Sequence, residues 1–159
     1  MSGASEGTDG TLDRTDDRPP KPRVDRNGLE ILSREESLRL VGTTRLGRVA
    51  VVVGGLPVVL PVNFALMGED VVFRTATGTK LLAAISRSPV SFEVDAGDVP
   101  TSLGWSVLIT GVASEITRPD ERAAADGLGV ETWVDERHRY VRIRADVVSG
   151  RRLKARGAG

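Results

Sequence analysis

The 159-residue sequence contains no cysteine, which excludes disulfides, thiolate catalysis and cysteine-ligated metals. It has a single histidine, His138, which removes paired-histidine designs and most zinc and haem schemes. It also has no net charge, with 22 Lys and Arg against 22 Asp and Glu. A nucleic-acid binder gains most of its affinity by neutralising phosphates and normally shows a basic surplus. The balance therefore counts against that role, although it leaves room for a local basic patch. No apolar run approaches the roughly 18 residues of a membrane span. Met1–Gly10 is small, polar and acidic, unlike the basic and then apolar pattern of a secretory leader. Together these absences predict a soluble, cytoplasmic protein with no nucleic-acid or membrane partner.

What remains is an ordinary globular composition, 40% hydrophobic and 28% charged, in a chain long enough for one domain with a core. Residues 1–27 hold Gly, Ser, Thr, Asp, Arg and Pro with almost no large apolar side chain. Such a segment cannot bury enough surface to offset its ordering entropy, so it reads as a disordered tail. The domain is expected over residues 28–153, with Lys154–Gly159 as a frayed end.

The domain opens with Leu29, Ile31 and Leu32 and then Ser33-Arg34-Glu35-Glu36. That is a capping box: the Ser33 hydroxyl can accept from the third helical amide while Glu36 reaches back. Leu38, Leu40 and Val41 give this helix an apolar side, and Gly42 ends it. Val49–Val53 and Leu56–Leu60 around Gly54-Gly55 read as a hairpin. Pro57 and Pro61 place its second strand at an edge or interrupt it. Further strands are expected at Asp70–Thr75, Val90–Val94, Gly104–Glu115 and Tyr140–Val148, with short helices at Lys80–Ser86 and Pro119–Ala125. Six short strands and three small helices predict a mainly β, antiparallel barrel or sandwich rather than a βαβ fold. The first four strands are nearly continuous in apolar residues, a pattern that calls for cover on both faces. A second copy of so small a chain is the expected source of that cover.

The stretch with the most chemistry is Phe73-Arg74-Thr75-Ala76-Thr77-Gly78-Thr79-Lys80. It joins a strand to a helix and carries two cations, three hydroxyls and a glycine. A phosphate is held by such a set, through charge-assisted donors, hydroxyls and free amides at a helix N-terminus. Gly78 lets the backbone approach closely. The spacing is not that of a Walker A loop. On residue types alone, a solvated loop whose Thr79 merely caps the following helix is the favoured reading.

The order of motifs adds to this. Leu46-Gly47-Arg48-Val49-Ala50, Pro61-Val62-Asn63-Phe64, Phe73-Arg74-Thr75-x-x-Gly78-Thr79-Lys80, Val90-Ser91-Phe92-Glu93-Val94-Asp95 and Gly104-Trp105-Ser106-Val107 follow one another. This series resembles the pyridoxamine-5′-phosphate-oxidase-like, FMN-binding split β-barrel family, and in particular its small actinobacterial-type members. The likeness runs from about Leu29 to about Arg152. It implies a six-stranded antiparallel split barrel with short flanking helices, a homodimer, and FMN held at the subunit interface. It further implies Arg74, Thr75, Thr79 and Lys80 at the flavin phosphate, and Pro61, Val62 and Asn63 along the ring. Trp105 and Ser106 would lie at or near the interface and reach the flavin of the other subunit, with packing of the dimer core an equal alternative for Trp105. The implied activity is an FMN-dependent oxidoreductase acting on an unidentified small molecule.

Some features depart from relatives or stay open. The nitroimidazole-resistance proteins carry histidines within the motif corresponding to residues 73–80, where this sequence has Arg74 and Thr79 and no histidine, so histidine chemistry there is not expected. Arg142, Arg144, Arg151 and Arg152 do not match the substrate-phosphate residues of the vitamin B6 oxidase itself. The related deazaflavin F420 has an anionic tail suited to a basic groove, which keeps an F420-dependent reductase as an alternative. A non-catalytic flavin-binding module is another, since no residue reads as a dedicated acid or base. His138 could donate a proton near the ring or sit on the surface, and Trp133 could line a pocket mouth or pack a loop.

Overall fold

The structure of the chain, a computed structural model, describes residues 22–76, 85–98, 103–131 and 138–153. The elements follow as β1 (Glu30–Leu32), α1 (Arg34–Val41), β2 (Leu46–Val53), β3 (Leu56–Met67), β4 (Asp70–Ala76), β5 (Pro89–Asp98), β6 (Leu103–Glu115), α2 (Pro119–Asp126), β7 (His138–Ile143) and β8 (Val147–Leu153). All ladders are antiparallel, in the order β1-β8-β6-β5-β2-β3-β4-β7, and an additional β6–β7 pairing closes six strands into a ring. No helix among the described residues is long and apolar enough to cross a membrane.

The sequence signals act where they were expected to. Ser33 caps α1, accepting from the Glu36 amide at 3.1 Å. The reciprocal half of the capping box is absent, because the Glu36 carboxylate instead takes Arg39 at 2.9 Å and Arg152 at 2.6 Å. Two guanidinium groups outcompete one backbone amide for an anion. Gly54 and Gly55 both have positive φ, 58° and 82°, the geometry of a two-residue hairpin turn that suits strand twist. Over Leu56–Asn63 β3 pairs only with β2, and over Phe64–Met67 it pairs with β4. Pro57 and Pro61, four residues apart, fall in the same ladder class along that free stretch. Their missing N–H groups therefore cost no ladder bond.

Two strand expectations need correction. The single closing strand over Tyr140–Val148 is two strands, and residues 30–32 form an additional short strand, so the sheet has eight strands rather than six. The break falls at Arg144–Asp146, where β7 leaves β4 and β8 goes on to pair the first half of β6. The backbone there crosses Gly111 so closely that a Cβ would overlap the Arg144 carbonyl. Asp70 and Asp146 accept from the Ala145 and Val112 amides around this corner. The boundary expected near residue 28 falls in a turn in which Asp25 accepts from the Asn27 and Leu29 amides and pairs with Arg151. The two termini assigned as disordered lie outside the described residues over 1–21 and 154–159, as do Lys80–Ala84 of the expected helix.

Inward-facing side chains from all six ring strands, with Leu38 and Val41 of α1, make one core. At its centre Phe92 and Phe64 meet edge to face, with centroids 4.8 Å apart, the arrangement favoured by ring quadrupoles. A second small cluster of Val72, Ile116, Ala125 and Tyr140 lies on the other side of the sheet, under α2. Among the described residues no helix covers the rest of that outer surface. Its row Val59, Ala50, Ser91, Thr110, Val147 runs across five paired strands. Val52, Val59 and Val147 on it are 64%, 60% and 61% exposed.

Candidate functional site

Side chains alternate along a strand, and this decides which members of the chemical motifs can meet. On β3, Pro61 and Asn63 fall on the outer face, whereas Val62 packs toward the core. On β4, Arg74 lies opposite Tyr140 of β7, on the outer face, and Thr75 points the other way. Arg74 and Asn63 are thereby brought to one corner, where β3, β4 and β7 meet the chain leaving α2.

Arg74 is closely held there. Its Nη1 donates to the Val130 carbonyl at 3.1 Å, and its Nη2 lies against both ring nitrogens of His138, 2.7 Å from Nδ1. The guanidinium carbon sits 5.3 Å from the Tyr140 ring centroid, a cation–π contact. Tyr140 in turn donates its hydroxyl to Asp126 at 2.7 Å. Burial, with the hydrogen bond to Asp126, pushes the Tyr140 phenol above its ordinary pKa. The Arg74 Nε is buried and has no hydrogen-bond partner among the described residues. A buried donor without an acceptor is costly.

Beside Val130 opens a cavity of about 190 Å³ lined by Arg45, Asn63, Phe64, Leu128, Gly129, Val130 and Glu131. It offers an amide, a cation and a carboxylate beside the held guanidinium. A flat heterocycle with hydrogen-bonding edges could lie along Pro61 and Asn63, with an anionic tail at Arg74. Among the described residues no group of acidic or histidine side chains could hold a metal.

Residues 33–152 match the family model described as pyridoxamine 5′-phosphate oxidase. The chain belongs to the pyridoxamine 5′-phosphate oxidase family. An uncharacterized protein of Mycobacterium tuberculosis is 32% identical over 144 residues, 87% of this chain and 93% of that one. The structure of a protein from Mycobacterium smegmatis described as FAD binding matches with a TM-score of 0.70 and 35% identity, covering 78% of this chain and 99% of its own. A Mesorhizobium loti protein described as FAD-binding matches with a TM-score of 0.69 and 25% identity over 79% and 97% of the two chains.

In this family member the other expected residues are dispersed. Trp105 packs against the main core from β6. Ser106 is exposed on the outer face opposite Asp95 and Arg151. Both border an open trough of about 490 Å³ between the ends of β5 and β6, separate within the chain from the Asn63 cavity. Thr79 and Lys80 lie outside the described residues, as does Trp133. Arg142, one of the C-terminal arginines, is bound to Glu121 at 3.1 Å. Sequence reasoning missed Arg45, Val130, Glu131 and the role of Tyr140. Arg45 was within reach, because a two-residue turn at Gly54-Gly55 sets Leu46 opposite Asn63. The others depend on β4 pairing with β7, a contact with no local signal.

Proposed function

We propose that the protein is a dimeric flavoprotein that binds a phosphorylated flavin at the Arg74–Asn63 corner and acts as an oxidoreductase on a small molecule. The observation that carries this reading is Arg74: a held guanidinium with a buried N–H unmatched among the described residues, beside a cavity lined by Asn63. These residues fit a flavin. The phosphate would accept from Arg74, joined by Thr79 and Lys80 from the segment that follows β4. The ring would lie along Pro61, the Val62 backbone and Asn63. When bound, the flavin supplies hydride or electron transfer, while the chain binds, orients and excludes water. FMN and FAD share the phosphate and ring that this corner would hold. FAD gains weight from the two solved relatives described as FAD-binding.

The outer face, with its exposed valines and no helix over it among the described residues, supports the homodimer. It is continuous through Pro61 with the Arg74 corner, and its exposed valines are the residues a second copy would cover. A copy seated there would wall the flavin cleft and bring Ser106, with Trp105 behind it, near the ring of the neighbouring site.

The test is an absorption spectrum of the purified protein, then titration with FMN, FAD and F420. Tight uptake of FMN or FAD is expected. Arg74→Ala should weaken it about 10-fold or more, the loss of charged hydrogen bonds of about 1.5–3 kcal/mol. No flavin absorbance and no uptake would overturn the reading, and preference for F420 would move it to the deazaflavin. Turnover of an acceptor with NAD(P)H or F420H2 separates an oxidoreductase from a binding module.

A further inference from the structure

We propose that His138 is a positioning residue for Arg74 and so sets the preference of the site for phosphorylated over unphosphorylated flavin. The inference rests on the flavin reading above and goes beyond it, because nothing in that reading requires the histidine.

The geometry comes from register. Arg74 and Ala76 on β4 stand opposite Tyr140 and His138 on β7, so all four side chains share the outer face. A guanidinium has donors and no acceptor, so of the two imidazole nitrogens that Arg74 lies against only the unprotonated one can take its hydrogen bond. His138 also lies edge to face with Tyr140, centroids 5.7 Å apart. The guanidinium is thus fixed on three sides, by the Tyr140 ring, the Val130 carbonyl and the His138 imidazole. Of the five N–H donors an arginine carries, Val130 and His138 take one each, and the Nε–H is among those left. Arginine is long and rich in rotamers. Without His138 its head would be held by the carbonyl and the ring alone, and ordering it would be charged against every binding event. Among the described residues the charged groups near this pair are Asp126 bound to Tyr140, Arg122 acting on Tyr140, Glu131 at the cavity, and Arg139, already paired with Glu115 at 2.8 Å. None of these described residues places a carboxylate on the Arg74 guanidinium, so His138 is the side chain among them that takes a hydrogen bond from it, with the Tyr140 ring at its face.

The experiment compares dissociation constants for FMN and riboflavin, which differ by the phosphate, in full-length wild type, His138→Ala, His138→Gln, Arg74→Ala and the Arg74→Ala/His138→Ala double variant. His138→Ala should weaken FMN roughly tenfold, the size of one charged hydrogen bond, and leave riboflavin within about twofold. Glutamine, whose side-chain oxygen can accept from a guanidinium, should recover most of the loss. In the Arg74→Ala background His138→Ala should have no further effect, because a residue acting through another is not additive with it. Equal loss of both ligands, no loss of FMN, or full additivity would overturn the proposal. If Arg74→Ala itself fails to separate FMN from riboflavin, the phosphate assignment falls first and the positioning role with it. If Arg74→Ala separates them and His138→Ala does not, only the positioning role fails.

Discussion

Gly47, in the motif Leu46-Gly47-Arg48-Val49-Ala50, is there because of Phe92. It is buried at the start of β2, and a Cβ built on it would stand 2.6 Å from Cε2 of the Phe92 ring and 3.1 Å from the Glu93 carbonyl oxygen. Neither neighbour can move freely. Phe92 is fully buried and locked edge to face on Phe64, and the Glu93 backbone is paired with Arg48. Gly47→Ala therefore overpacks the core, which costs about 1–3 kcal/mol; two blocked neighbours put the expected value near 2–3 kcal/mol. At roughly 4 °C per kcal/mol for a domain of this size, the melting temperature should fall by about 10 °C. The assay is urea unfolding at fixed protein concentration with flavin removed, since a ligand or a second subunit would shift the midpoint. Phe92→Leu keeps an apolar side chain but lacks the offending ring atoms. In that background Gly47→Ala should cost at least about 1 kcal/mol less, well outside the roughly 0.3–0.5 kcal/mol scatter of independent sites. Wild-type stability for Gly47→Ala, or strict additivity in the double variant, would refute the argument.

Three further outcomes follow from other contacts. Hydrogen bonds from Arg39 and Arg152 hold the Glu36 carboxyl at about 2 rather than 4.5. Its contribution to stability is present above about 4.5 and lost as pH falls towards about 2, so the stability difference between wild type and Glu36→Gln should shrink across that window. Tyr140→Phe removes the hydroxyl bound to Asp126 and should cost about 1–2 kcal/mol in thermal unfolding. Because burial and Asp126 raise the phenol above 10.0, its stabilisation is full below that value and lost as pH rises beyond it. The phenylalanine variant should lack this alkaline component. Val59→Lys, at a residue 60% exposed in the single chain, should change the stability of an isolated subunit by no more than about 0.5 kcal/mol. In sedimentation it should shift a dimer towards monomer, and an unchanged mass would remove this face as the interface.

Much of the fold was legible in local patterns, because local forces produced it. The Ser33 cap, the Gly54-Gly55 turn, the edge position of Pro57 and Pro61, and the span of α2 each depend on a few neighbouring residues whose backbone preferences and hydrogen bonds decide the outcome. The closing strand was misread for the opposite reason. Tyr140–Val148 is strand-like throughout, and the break at Arg144–Asp146 comes from β6, which is long enough to pair both halves and bends the chain over Gly111.

The same division holds at the site. Composition alone narrowed the chemistry: no cysteine and one histidine excluded disulfides, thiolate catalysis and most metal schemes, and the run Arg74–Lys80 marked where an anion could sit. Alternation along a strand then decided what sequence adjacency could not, setting Arg74 on one face and Thr75 on the other. His138 stands 64 residues from Arg74, and Tyr140 and Val130 are likewise remote in the chain. Only the β4–β7 ladder and the return from α2 bring them together, because long-range pairing is settled by burial of the whole sheet, which no short stretch of sequence encodes.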